Sequence, residues 1–256
     1  MESSNAKIYA GFEHPVNHPQ ETAFNYDSIP TGYYDAIFHR KKGIQSCWHY
    51  LKFLGVSHRI APTVTTLLDI GCGPGTFLGN FIGPHIQAVG FDIASGQIDY
   101  AMQKYGRQNI TFICGKDRLP FADSSFDAVT CIELIEHLAK DQIDALLKEC
   151  YRVLTPKGRL ILTTPNYKSL WVVLEKMVNR LSPVSYEDQH ISRFNPHILR
   201  ECLETHGFQA NVKSYLGIAP FLALLSNRLA TQMFKYEKWI ENRYGFLLIA
   251  DCEKNR

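Results

Sequence analysis

Between residues 65 and 164 the chain alternates two kinds of segment, and that alternation limits its fold more than any other feature. Five short runs, TTLLDI (65–70), QAVGFD (87–92), ITFIC (110–114), FDAVTCI (126–132) and RLILTT (159–164), have the length and the Val, Ile, Leu and Phe content of buried strands. Between them, apolar spacing predicts helices at about 76–83, 95–105 and 140–154, the last closed by Thr155-Pro156-Lys157-Gly158. Strands and helices in this order build an α/β fold, a parallel, doubly wound sheet with helices on both faces. Sheets of this kind bind ligands outside the carboxyl ends of their strands.

The flanks extend this unit. Residues 1 to about 30 are polar, carry His14-Pro15, His18-Pro19 and Ile29-Pro30, and read as an irregular arm. Residues 32–54 place apolar or aromatic groups at helical spacing, so 1–62 reads as an arm and helical cap ahead of a domain at 63–256. After Thr164 the expectation is an amphipathic stretch (168–181), an irregular polar segment (182–195) and a helix (196–206) ending at Gly207. Two last strands, FQANVKSYLG and GFLLIADCE, flank a helix at 219–238 and should pair antiparallel at one sheet edge. The segments at about 168–195 and 218–240 thus read as cap insertions.

Composition narrows the function classes. Lys plus Arg number 27 against 25 for Asp plus Glu, a net +2 that gives no electrostatic reason to expect nucleic acid as partner. The run Arg40-Lys41-Lys42 reads as a solvated helix end. Seven cysteines without close pairs fit reduced thiols and a cytoplasmic setting. The first residues lack a leader pattern, and no stretch approaches the apolar length that spans a bilayer. Residues 218–234 offer peripheral membrane contact or closure over an apolar substrate as alternatives to a helix packed on the sheet, which is the expectation. Oligomeric state leaves no mark in the sequence.

The stretch LLDIGCGPGTFLG (67–79) ends the first strand in a glycine turn, with Asp92 at the end of the second strand 21 residues after Gly71. In a Rossmann-like unit such a turn brings the backbone close to a nucleotide, and the later acid binds ribose hydroxyls. A dinucleotide loop reads G-x-G-x-x-G, whereas here Gly71, Gly73 and Gly75 make G-x-G-x-G, with Thr76 at the third glycine position. Asp69 reads as a support that accepts backbone N–H bonds and holds the loop open.

Four motifs in order, LLDIGCGPGTFLG, VGFDIASGQIDYA, RLPFADSSFDAV and VLTPKGRLILTTPN, resemble those of class I S-adenosylmethionine-dependent methyltransferases over about residues 64–166. The resemblance implies a seven-stranded sheet with the last strand antiparallel. It implies S-adenosylmethionine as cofactor, with Gly71, Gly73 and Gly75 along its methionine and ribose, Asp92 on the ribose hydroxyls and Ile93 against the adenine. Asp117 stands where the family places an acid for the adenine amino group, but nearer to Leu119 than the pattern has it.

After the fourth strand, Glu133, Glu136 and His137 are spaced to converge on one face of a helical turn. Two carboxylates and an imidazole suit a divalent cation, Mg, Mn, Fe or Zn, with His190 as a fourth ligand folding back over the site. Glu-x-x-Glu-His with a later His resembles the ubiquinone-pathway O-methyltransferases and the small-RNA 2′-O-methyltransferases, which implies a metal that holds acceptor hydroxyls. Without metal, His137 or His190 becomes the general base, as in N- or C-methyl transfer. Near-neutral charge and apolar insertions favour a small or lipid-like acceptor over RNA. Tyr33, Tyr34, Trp48 and His49 lie in the part that, by the resemblance, caps the active site; between core and ligand contact, aromatics at helical spacing read as core. Rivals from other classes are a nicotinamide-dependent oxidoreductase, a non-catalytic cofactor-binding subunit and a metal hydrolase.

Overall fold

The computed structural model describes residues 29–116, 118–175, 190–239 and 245–255. The described residues contain a seven-stranded sheet in the order β3-β2-β1-β4-β5-β7-β6. Its strands are β1 (Thr66–Ile70), β2 (Gln87–Asp92), β3 (Ile110–Cys114), β4 (Phe126–Ile132), β5 (Leu154–Pro165), β6 (Phe208–Tyr215) and β7 (Leu247–Lys254). The first five pair in parallel. β7 runs antiparallel to both β5 and β6, so the expected antiparallel pair exists and β7 is wedged between the two.

Alternate residues of each strand feed opposite cores, as a period of two demands. Leu67, Ala88, Ala128 and Ile161 face one layer, while Leu68, Val89, Val129 and Leu160 face the other. The first layer is covered by α2 (Gly43–Ser57), α3 (Thr76–Phe81) and α4 (Ser95–Tyr105), and the second by α5 (Lys140–Val153) and α6 (Pro196–Thr205). Asn195 caps α6 by accepting from the backbone N–H groups of His197 and Ile198, with Pro196 pre-set for the first turn. The Thr155–Gly158 segment closes α5 differently from expectation. β5 starts at Leu154 opposite Phe126 and rejoins the ladder at Arg159 opposite Ala128, so the four residues bulge out, with Lys157 at φ 64°.

The expected 219–238 helix is two elements, a 3₁₀ segment at Ala219–Leu224 and α7 (Asn227–Trp239). Ala230 and Phe234 of α7 are buried in the α2 layer, whereas Ile218, Leu224, Leu225 and Leu229 are exposed. The packed-helix expectation therefore describes one side of this insertion only. Residues 168–170 form a turn and 171–175 are helical, whereas 176–181, like the arm before Ile29, lie outside the described residues. Arg40, Lys41 and Lys42 are exposed between α1 (Tyr33–His39) and α2, as a solvated helix end should be. None of the seven cysteines is in a disulfide. No helix among the described residues is long and apolar enough to cross a membrane.

The helical cap is tied to the sheet by Asp35 of α1, which has no solvent exposure. Its carboxylate accepts from the hydroxyls of Thr76 (2.7 Å), Tyr100 (2.9 Å) and Tyr105 (2.6 Å) and from Lys104 Nζ (2.5 Å). Burial works against its charge, but these donors hold the Asp35 carboxyl below its usual range. Thr76 at the third glycine position is thereby explained: its hydroxyl is a strut to the cap, and its side chain is buried.

Candidate active site

The carboxyl ends of β1, β2 and β4 open into one cavity of about 1110 Å³. They meet there because the chain leaves β1 for β2 on one side and later returns to β4 on the other, the switch point at which doubly wound sheets hold ligands.

The glycine turn forms one wall. Gly71, Gly73 and Gly75 have φ of 71°, 50° and 73°, the left-handed region that side chains resist. The N–H groups of Gly71 and Cys72 donate to the Phe91 carbonyl (2.8 and 3.3 Å), which fixes the turn against the end of β2. The three glycines then serve different ends. A Cβ on Gly75 would lie 2.7 Å from the Phe112 ring and 2.9 Å from the Ala101 Cβ, so this glycine is needed for packing. A Cβ on Gly73 would meet nothing within 4 Å and would enter the cavity, so this glycine keeps the backbone open to a ligand.

Asp92 stands at the end of β2 with one carboxylate oxygen on the Gly73 N–H (2.8 Å) and the other on the Ala94 N–H (2.9 Å). Burial raises its pKa while those two backbone donors oppose the shift. Each oxygen retains a lone pair for a further donor, the requirement for gripping a vicinal diol. Ile93, which is 42% exposed, adds an apolar surface beside it on the cavity wall. Asp69 is buried under the turn and accepts from the Thr130 hydroxyl (2.7 Å). Its carboxylate is thus held by a hydroxyl of β4 rather than by a loop N–H. Burial pushes its carboxyl up to about 7. Asp117 lies outside the described residues.

The opposite wall carries the acidic and histidine groups. Glu136 and His137 sit on the 3₁₀ turn Ile135–His137 after β4, and the chain from 190 to 194 crosses over it. Ser192 clamps that crossing, donating its N–H to the Glu136 carbonyl (3.0 Å) and its hydroxyl to the Leu138 carbonyl (2.6 Å). His190 is thereby brought to a ring distance of 5.1 Å from His137. Glu136, His137 and His190 each offer one ligand atom within 4.8 Å of the others. Two ligands about 2.1 Å from one ion are at most about 4.2 Å apart, so a mutual spacing within 4.8 Å is close to the span of one coordination sphere. Glu136 is buried and accepts from the Thr164 hydroxyl (2.9 Å), and burial with Glu133 nearby pushes its carboxyl up to about 7. A carboxylate in such a place is stabilised by an added positive charge. Two imidazoles and a carboxylate are a donor set for a first-row divalent ion.

Glu133 is not among those three. Its backbone is left-handed at φ 51°, and its carboxylate pairs with Lys52 of α2, a lysine only 4% exposed. Tyr34, Trp48 and His49, expected as core, line the cavity, with Trp48 packed on Trp171 (5.7 Å) and Phe246 (6.2 Å). Lys52, Tyr167 and Glu175 were not singled out from the sequence. Lys52 is the one charge in HYLKFLG and Glu175 the one acid in WVVLEKMV, but local pattern does not say whether such a charge faces solvent or a buried partner.

Comparison with known proteins bears on this geometry. The family model described as a methyltransferase domain matches residues 68–162. The ubiquinone biosynthesis O-methyltransferase of Xanthomonas axonopodis pv. citri is 29% identical over 202 residues, 71% of this chain and 79% of that protein. The ubiquinone/menaquinone biosynthesis C-methyltransferase of Desulfotalea psychrophila is 33% identical over 114 residues, 43% of this chain and 46% of that one. The chain spans less than half the length of the curated relatives it matches at 33% identity or more. A Thermotoga maritima structure described as a S-adenosylmethionine-dependent methyltransferase, possibly a histamine N-methyltransferase, superposes with a TM-score of 0.64 at 18% identity, covering 90% of this chain and 98% of that one, a likeness of fold. These matches identify residues 68–162 as a methyltransferase domain, and it is this segment that carries the open Gly73 turn and the Asp92 carboxylate.

Proposed function

We propose that the protein transfers a methyl group from S-adenosylmethionine to an oxygen of a small or lipid-like acceptor, with a divalent metal held by Glu136, His137 and His190. The observation that carries this reading is that one cavity is lined both by Gly73 and Asp92 and by Glu136, His137 and His190. Gly71, Gly73 and Asp92 would hold the cofactor's ribose and methionine, and Ile93 its adenine face. S-adenosylmethionine supplies an electrophilic methyl on sulfur, and a divalent cation supplies the charge that lowers the pKa of an acceptor hydroxyl. The chain's own part is to hold the acceptor oxygen in line and to exclude water. Trp48, Phe53, Leu134, Trp171 and Phe221 give the cavity walls suited to an acceptor with an apolar body.

Both a C-methyltransferase and an O-methyltransferase stand among the relatives, so the acceptor atom has to be argued from the acidic wall. A second reading has its own observation. His190 Nδ1 lies 2.5 Å from the Glu175 carboxylate, a pair that serves equally for a histidine acting as general base without metal. The nicotinamide alternative is disfavoured by Thr76, which replaces the third glycine and is locked to Asp35.

The test is methyl transfer from labelled S-adenosylmethionine to a panel of phenols, catechols and amines, before and after chelation, with elemental analysis of the purified chain. The proposal expects a bound first-row metal and transfer to hydroxyl acceptors that chelation abolishes. Transfer that survives chelation with no metal found would replace the metal with the histidine base.

A further inference from the structure

The segment after β5 carries a buried carboxylate that the proposed chemistry does not use directly. Glu175 is 8% exposed, and burying a carboxylate needs compensation. The basic group beside it is the imidazole of His190 rather than a lysine or arginine. Glu175 Oε1 lies 2.5 Å from His190 Nδ1 and accepts from the Tyr167 hydroxyl at 3.0 Å, while that hydroxyl is also 2.9 Å from Nδ1. Tyr167 is itself anchored, its N–H donating to the Phe194 carbonyl (2.9 Å) and its ring lying under the Arg193 guanidinium (5.4 Å). Three groups from residues 167–175 and 190 thus make one closed cluster behind the cavity wall.

We infer that Glu175, supported by Tyr167, is a positioning residue that keeps His190 in the Nδ1–H tautomer and so presents Nε2 to Glu136 and His137. A ring nitrogen that donates to a carboxylate holds the proton of the neutral imidazole, and the lone pair is then on the other nitrogen. A carboxylate behind a histidine in this way sets ring orientation and raises its basicity as a ligand or base. Glu136 is held by the Thr164 hydroxyl, and the crossing chain that carries His190 is held by Ser192. The inference rests on the reading of Glu136, His137 and His190 as the acceptor-side groups.

The experiment uses the full chain treated with chelator, labelled with ¹⁵N at histidine, and recorded by NMR at pH 8, where an ordinary imidazole is neutral. Wild type should give a His190 resonance pair of the Nδ1–H tautomer, Glu175→Ala should lose it, and Glu175→Gln should retain it because the amide oxygen still accepts. Titration of the same proteins with Co²⁺ should give an affinity about 10–100-fold weaker for Glu175→Ala and within a few-fold of wild type for Glu175→Gln. A wild-type His190 protonated on Nε2 overturns the inference without any variant, as does a tautomer unchanged in a folded Glu175→Ala. Should the tautomer behave as expected while wild type takes up no Co²⁺, the positioning role is supported and the metal reading alone is overturned.

Discussion

Alanine at Gly73 and at Gly75 should separate the two duties of the glycine turn. Both positions are left-handed, with φ of 50° and 73°, so either alanine loses about 1–2 kcal/mol of stability from backbone strain alone. At Gly73 nothing else opposes the new methyl, because no atom lies within 4 Å of it. For a chain of this size that strain lowers Tm by about 2–8 °C. At Gly75 the methyl also strikes Phe112 at 2.7 Å and Ala101 at 2.9 Å, an overpacking term of about 1–3 kcal/mol in addition. Ligand binding should order the other way. The Gly73 methyl stands in the cavity beside Asp92, so Gly73→Ala should stay folded yet bind S-adenosylhomocysteine at least about tenfold more weakly, a loss of about 1.4 kcal/mol. Thermal melts by circular dichroism and titration calorimetry on the two variants read both quantities. Native affinity in Gly73→Ala, or equal melting temperatures for the two, would refute this division of the loop.

Other expectations concern stability. Asp69 and Glu136 both have carboxyls raised to about 7, above their unfolded values, so their contribution is complete at pH 4 and is lost as pH rises through about 7. Asp69→Asn should therefore flatten the fall in Tm between pH 5 and pH 8, and an unchanged slope would show that Asp69 does not drive it. Asp35→Ala leaves three hydroxyls without their acceptor, while Lys104, 40% exposed, turns to solvent; it should lose about 2–4 kcal/mol in urea unfolding, with the cap released first, and a loss below about 1 kcal/mol would rule out the strut. A double-mutant cycle of Lys52→Met and Glu133→Gln should show coupling of about 1–3 kcal/mol, since Lys52 is buried and Glu133 partly so; additivity would mean that the pair contributes nothing.

The parallel part of the sheet was legible because its strands are short, doubly buried and separated by helices of ordinary period, and every one of the five runs is a strand. The antiparallel β6–β7 pair could be read from two late apolar runs, but not the wedging of β7 between β5 and β6, which local pattern does not encode. The 219–238 stretch misled because its apolar period continues across residues 225–226, where the chain passes from a 3₁₀ segment to α7. The glycine turn and Asp92 were readable by spacing, since both lie on consecutive strand ends. The acidic wall was readable only in part. Spacing of three and four treats Glu133 as equal to Glu136, whereas the left-handed backbone at Glu133 sends its carboxylate to Lys52, more than 80 residues earlier. The Glu175–Tyr167–His190 cluster joins side chains 8 and 15 residues apart, and such contacts follow neither a helical nor a strand period.

The central claim is that the cavity between Gly73, Asp92 and the histidine wall is an S-adenosylmethionine site. Titration calorimetry of the full chain with S-adenosylhomocysteine and with NAD, repeated for Asp92→Ala, tests it most directly. The expected result is binding of S-adenosylhomocysteine, no binding of NAD, and an affinity on the order of 100-fold weaker in Asp92→Ala from the loss of charged hydrogen bonds to the ribose. NAD bound in preference to S-adenosylhomocysteine, or an affinity for S-adenosylhomocysteine indifferent to Asp92, would contradict it.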